Sequence, residues 1–131
     1  MSHMELLQGT LDMLILQTLS HGPRHGYGIA NFINQKSIGI FRILDGALYA
    51  ALHRLERSGE VEAAWGTSNS GRRARFYRLT PQGRLTCREE ARRWHRYSSA
   101  VARVMIARPD AQTVDELHAV APKDEDVPAG E

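Results

Sequence analysis

Seven side chains in the middle of this chain carry the groups that could do chemistry: Tyr49, His53, Arg54 and Arg57, then Arg72, Arg73 and Arg75. A phenol, an imidazole and several guanidiniums are hydrogen-bond donors suited to phosphate oxygens, and a guanidinium also matches the acceptor edge of guanine in a major groove. Spacing decides whether they can act together. The segment Asp45-Gly-Ala-Leu-Tyr-Ala-Ala-Leu-His-Arg-Leu-Glu-Arg-Ser-Gly59 places Leu48, Ala51, Leu52 and Leu55 at i, i+3, i+4, i+7, the stripe of a half-buried helix. Tyr49, His53, Arg54 and Arg57 fall off that stripe. Each also has a plainer reading. Arg54 sits beside Glu56 and Glu60, so an ion pair within the chain competes for it. Tyr49 could pack against the neighbouring hairpin, and arginines of a loop are often only solvated.

The elements that must position these groups can be read outward from them. Asp45 is expected as the helix N-cap and Gly59 as the residue just past its end. A hairpin follows, with Val61-Glu-Ala-Ala-Trp65 and Arg75-Phe-Tyr-Arg-Leu79 as strands and Gly66-Thr-Ser-Asn-Ser-Gly71 as a long connection. That loop projects, and Arg72 and Arg73 at its exit could reach a neighbouring groove or backbone, as basic arms do. Phe41-Arg-Ile43 is expected to add a third strand. Upstream, Gly9 to Gly22 reads as a helix with Leu11, Leu14, Ile15 and Leu19 on one side and Met13 and Leu16 widening the band. A helix apolar on more than one face must bury both, one in the domain and one against a partner. Gly22-Pro23 breaks it, and His25 to Gln35 resumes as the first helix of a helix-turn-helix pair, with Tyr27, Ile29, Ala30 and Ile33 as core contacts.

After the hairpin, Thr80-Pro81 is a strong helix start. The helix runs to about Ala107, before Pro109. Along it Cys87, Ala91, Trp94, Ser98, Val101 and Met105 recur at coiled-coil spacing, with Tyr97 and Val104 alongside. At roughly 1.5 Å per residue it is about 40 Å long, more than so small a domain can cover. A second copy of the chain is the economical cover. The expected interface is Leu11, Ile15, Ala91, Trp94, Ser98, Val101 and Met105, and a two-fold dimer would suit two DNA half-sites about one helical turn apart. Cys87 is expected as a small buried apolar side chain on that seam.

Charge and composition agree with a polyanion partner. Residues 1–80 hold nine Lys/Arg against six Asp/Glu, residues 81–108 seven against two, and residues 109–131 one against seven. The ordered part is thus basic and the tail acidic. The tail reads as a solvated, disordered segment, with competition against DNA for the basic surface as the sharper alternative. Met1-Ser-His-Met4 reads as a cloning remnant before a start at Met4. A single domain of residues 5–80, a dimerisation helix over 81–108 and the tail make up the expected organisation. No apolar run approaches the roughly 20 residues that span a bilayer. The Leu11–Leu19 run carries Asp12 and Gln17 and lacks a basic leader, and the one cysteine forms no internal disulfide. A cytoplasmic protein without a membrane role is expected.

An enzyme is the rival class. His25-Gly-Tyr-Gly28 has the spacing of neither a dinucleotide fingerprint nor a phosphate loop, and no G-x-S-x-G or H-E-x-x-H occurs. Glu89-Glu90 lie among arginines and read as surface charge. No catalytic residue, cofactor or metal ligand is assigned, His21, His25 and His53 included. A sequence-indifferent architectural DNA binder and a ligand-binding dimer with a secondary DNA role remain as alternatives.

Several ordered motifs resemble one family. Leu6-Leu-Gln-Gly-Thr-Leu-Asp-Met-Leu-Ile-Leu16, His25-Gly-Tyr-Gly-Ile29, Gly46-Ala-Leu-Tyr-Ala-Ala-Leu-His-Arg-Leu-Glu56 and Arg72-Arg-Ala-Arg-Phe-Tyr-Arg-Leu-Thr80 look like the PadR family of bacterial transcriptional regulators. The likeness spans roughly residues 5–108 and is to the short members, with one long C-terminal helix. It implies an α+β, mostly helical winged helix-turn-helix and a homodimeric repressor on double-stranded promoter DNA. In the resemblance Tyr49, Arg54, Arg72 and Arg73 contact the operator. Trp94, with Tyr97 nearby, matches a position that in drug-sensing relatives faces its symmetry mate and stacks planar ligands, which implies a small planar or aromatic effector. The chain departs from the family at Ala47, usually Ser or Thr, and at Ala50, usually Pro. The first removes a hydroxyl available to a phosphate; the second favours the helix.

Overall fold

The computed structural model describes residue 6 and residues 9–109, and they fall into two compact units divided between His95 and Arg96. The expected cloning remnant lies outside these residues, as does the acidic tail beyond Pro109. Within the first unit α1 (Thr10–Leu19), α2 (Gly26–Lys36) and α3 (Asp45–Arg57) pack around a small antiparallel sheet. Its strands are β1 (Arg24–His25), β2 (Val61–Thr67) and β3 (Arg73–Leu79), with β3 in the middle. The mostly helical α+β winged helix-turn-helix expected from sequence is the fold.

The core forms where the apolar stripes meet. Leu48, Ala51, Leu52 and Leu55 of α3 are all buried, as their spacing required, and they join Ile15, Leu16 and Leu19 of α1 with Ile29 and Ile33 of α2. Val61, Tyr77 and Leu79 close it from the sheet. Two parts of the α1 and α2 expectations change. Ile15, expected to face a partner, is wholly buried in the domain's own core. Tyr27, expected in the core, is 75% exposed. It follows α2's first residue, and there Ile29 and Ile33 already fill the inward face.

Local chemistry explains the ends. Ser58 ends α3 and Gly59, at φ 82°, lets the chain turn back, with Gly59 N donating to Glu56 O at 3.1 Å and Glu60 N to Leu55 O at 2.9 Å. This is the paired-bond ending that a left-handed residue permits. The same pairing ends α2, where Ile38 N meets Gln35 O and Gly39 N meets Asn34 O, but the left-handed position is held by Ile38 at φ 55°. At the start of α3 the cap is Leu44, without a side-chain bond, and Asp45 is the first helical residue instead of the cap. Its carboxylate still lies in the first turn, where the helix dipole favours it.

The third strand is not Phe41–Ile43. In that segment Asn34 Nδ2 donates to Phe41 O at 3.1 Å and Phe41 N donates to Ser37 Oγ at 3.0 Å, so side chains satisfy backbone that would otherwise seek a ladder. Phe41 and Ile43 pack half-buried on the core. The edge is taken by Arg24 and His25, opposite Tyr77 and Phe76. The hairpin is also longer than its alternation suggested. Gly66 and Thr67 pair with Ala74 and Arg73, so the projecting loop is Ser68–Arg72, closed by Ser68 N donating to Arg72 O at 2.8 Å.

The last helix, α4, runs Pro81–Met105. Thr80 caps it as expected: Gly83 N donates to Thr80 Oγ1 at 3.0 Å, and that hydroxyl donates to Gly59 O at 2.6 Å. Gly83 and Cys87 are buried, so the beginning of α4 is part of the winged domain. Cys87 Sγ lies 3.6 Å from Gln17 Oε1. The thiol therefore faces α1 of its own chain and not a partner, and burial pushes its pKa up, against a smaller opposing effect of Arg88. From Arg96 to Met105 the helix belongs to the second unit, with Val101, Val104 and Met105 exposed. No helix among the described residues is long and apolar enough to cross a membrane.

Candidate nucleic-acid interface

Burying one stripe of α3 turns the opposite face outward. Tyr49, His53, Arg54 and Arg57 are all exposed along it. Tyr49 is held in a particular place: its ring and hydroxyl cover Gly26, the first residue of α2, where any Cβ would overlap them. Gly26 thus lets the phenol lie against α2 while remaining 49% exposed. Tyr49 leans on the start of α2.

Four of the arginines have defined neighbours. Arg54 Nη2 donates to Asp12 Oδ1 at 2.8 Å, so its ionic partner is on α1 and not Glu56 or Glu60. Arg75 Nη2 donates to Glu56 Oε2 at 2.8 Å. Arg73 lies 4.8 Å above the ring centre of Trp65, a cation–π contact that orients its guanidinium along the wing. Arg24 lies 4.6 Å over the ring of Phe32. Arg57 and Arg72 form no ion pair with any described residue. The pairs at Arg54 and Arg75 are solvent-exposed and weak, so either guanidinium is available to a phosphate at little cost.

Between α2 and the wing lies an open groove of about 1070 Å³. Arg24, Tyr27 and Asn31 line it on the α2 side, and Trp65, Ser68, Asn69, Ser70, Arg72 and Arg73 on the other, with Tyr49 and Arg75 also contributing. Its lining includes Arg24, Arg72, Arg73 and Arg75 and no carboxylate. Sequence reasoning passed over Arg24 and Asn31, which no periodicity marks, placed Tyr27 in the core and read Trp65 only as the end of a strand; the pairing of Arg24 and His25 with β3 helps draw α2 and the wing to one side.

Two of the histidines, His25 and His21, do other work. His25 Nδ1 accepts from Gly28 N at 3.0 Å, capping α2, and its ring meets Phe76 edge-on at 5.3 Å. His21, four residues earlier, packs 5.3 Å from Phe32 instead. No group of three His, Cys, Asp or Glu among the described residues is placed to hold a metal ion. Burial raises the Tyr77 hydroxyl's pKa, with Arg75 opposing, so this phenol stays protonated in the core.

Of the expected interface residues on α4, Ala91, Trp94, Val101 and Met105 are exposed and Ser98 is half-buried. Tyr97 is also exposed. On α1, Leu11 is partly buried against the core.

The comparisons agree with this geometry. The model of the transcriptional regulator PadR-like family matches residues 15–89. An uncharacterized protein of Lysinibacillus sphaericus is 31% identical over 90 residues, covering 69% of this chain and 83% of that one. A solved transcriptional regulator from Clostridium thermocellum is similar at 28% identity and TM-score 0.65, over 73% of this chain and 93% of the other. A PadR-like transcriptional regulator from Bacillus cereus shares the fold at TM-score 0.69 and 22% identity, over 78% of this chain and 97% of its own. A winged helix-turn-helix with a basic outer face, matched by that family model over more than half its length, makes the chain a member of the PadR-like family of DNA-binding transcriptional regulators.

Proposed function

We propose that the protein is a homodimeric repressor, acting in the cytoplasm, that occupies a pseudo-palindromic promoter site. The observation that carries this is the joint exposure of Tyr49, His53 and Arg57 on α3 beside a wing bearing Arg72 and Arg73. In this reading α3 enters the major groove, the 68–72 loop and Arg73 touch the flanking backbone or minor groove, and Arg54 and Arg75 exchange their carboxylates for phosphates. The dimer is supported by α4, where Val101, Val104 and Met105 are left exposed at 43%, 74% and 76%. Such a row is costly in water and is covered economically by the same helix of a second copy. Leu11 of α1 adds to that interface, together with Ala91, Trp94 and Ser98, while Ile15 serves the core. Trp94 and Tyr97 offer a planar aromatic effector a surface at the interface. Release follows if such an effector binds the DNA-incompetent arrangement of the two winged domains better than the competent one.

The test is selection of bound fragments from the source genome at about 150 mM salt, which suppresses merely electrostatic binding. A few promoter fragments sharing an inverted repeat, bound by a dimer in sedimentation, is the expected result. Fragments recovered at random would point to an architectural binder and overturn the reading.

A further inference from the structure

The acidic segment that follows α4 takes no part in the repressor mechanism proposed above. We propose that residues 110–131 dock in the groove between α2 and the wing, so that the chain's own tail competes with DNA for the arginines there. The competition rests on the DNA-binding reading, whereas the docking does not.

Charge complementarity carries the assignment. Residues 109–131 hold seven Asp/Glu against one Lys, whereas the groove is lined by Arg24, Arg72, Arg73 and Arg75 and by no carboxylate. Arg75 is partly neutralised by Glu56, but the other three make no ion pair with any described residue. Arg24 is held over Phe32 and Arg73 over Trp65, so less side-chain freedom is lost when carboxylates arrive. A second match is apolar. Val114, Leu117 and Val120 interleave with Asp115 and Glu116 in the tail, and the groove offers Tyr27 and Trp65, 75% and 61% exposed. Carboxylates for the guanidiniums and aliphatic side chains for the rings describe an acidic peptide. Size and reach agree. The groove, of about 1070 Å³, exceeds a typical small-molecule pocket and is open, so it admits a length of chain. The 25 residues of α4 span about 37 Å, while residues 110–131 span up to about 75 Å when extended, long enough to return to the domain in which α4 begins. A rival basic surface is the outer ridge of α4, where Arg84, Arg88 and Arg92 are exposed at four-residue spacing. A ridge encloses nothing, and it serves as the control.

The experiment uses the full chain, the full chain carrying Asp115→Asn, Glu116→Gln, Asp124→Asn, Glu125→Gln and Asp126→Asn, and a labelled peptide of residues 109–131. At about 20 mM salt, where screening is weak, the neutralised chain is expected to bind a random duplex about tenfold more tightly than the wild type, because a tethered segment acts at an effective concentration near millimolar. Without DNA, fluorescence anisotropy should show the peptide binding in trans to the neutralised chain. That binding should be lost when Arg72→Ala and Arg73→Ala are added, and kept when Arg84→Ala, Arg88→Ala and Arg92→Ala are added instead. A tail that lowered DNA affinity only through net charge would produce no such pattern. Peptide that stays free, that binds the Arg72 and Arg73 variant as well, or that is released only by the α4 variant would overturn the proposal, as would equal DNA affinity of the two chains. If neither chain binds any duplex at low salt, the DNA-binding reading fails instead, and the peptide measurement decides the docking by itself.

Discussion

Replacing Gly26 by alanine tests whether the position of Tyr49, and not merely its presence, matters. A methyl group at Gly26 would overlap the Tyr49 hydroxyl and lie 3.0 Å from Cε1 of its ring, so the phenol must move. The backbone accepts alanine, because Gly26 lies within α2 and outside the left-handed region. Tyr49 can yield: it is the far end of a side chain and 49% exposed. Driving it off a preferred rotamer costs about 0.5–1.5 kcal/mol, and exchanging glycine for alanine in a helix returns up to about 1 kcal/mol. Stability should therefore stay within about 1 kcal/mol of the wild type. Operator affinity should not. A hydroxyl bonded to a charged phosphate contributes about 1.5–3 kcal/mol, so its displacement should weaken binding by about tenfold or more. Fluorescence anisotropy on a labelled operator measures this, with thermal unfolding alongside. In a Tyr49→Ala background Gly26→Ala should be silent, since both remove the same contact. Wild-type affinity in Gly26→Ala, or losses that add in full, would refute the reasoning.

Three further expectations follow from single contacts. Gly83→Ala places a methyl on the Glu60 carbonyl oxygen, which is backbone and cannot swing aside, so denaturant unfolding should show a loss of about 3 kcal/mol or more; unchanged stability would mean that α4 is not seated so closely on the turn after α3. Ile38→Gly relieves a β-branched residue at φ 55° that is 78% exposed, and should raise stability by about 1 kcal/mol, measured as a higher melting temperature; a lower one would contradict the strain. Asp12→Ala breaks an exposed ion pair and should change stability by less than about 1 kcal/mol, leaving operator affinity unchanged or improved as Arg54 is released, whereas Arg54→Ala should weaken it; wild-type binding by Arg54→Ala would take that residue off the DNA surface.

What the chain alone determined is what depends on neighbours close in sequence. The stripe Leu48, Ala51, Leu52, Leu55 settled which face of α3 is buried and therefore that Tyr49, His53, Arg54 and Arg57 turn outward. Thr80 capping α4 and Gly59 ending α3 were likewise legible, because caps are local hydrogen-bond chemistry. Tertiary structure decided whatever needed a partner far along the chain. Two residues, Arg24 and His25, carry no periodic signal and become a strand only because β3 offers them an edge. Phe41 and Ile43 look like strand residues, yet the side chains of Asn34 and Ser37 take up hydrogen bonds of Phe41's backbone. Ile15 and Cys87 fit an interface pattern, but packing within the chain claims both first. Arg54 has carboxylates nearby in sequence and pairs instead with Asp12, 42 residues away, because α1 and α3 lie side by side. The groove that brings Tyr27 and Asn31 opposite the wing is of the same kind: its two sides are distant in sequence, and only the sheet joining them makes one surface.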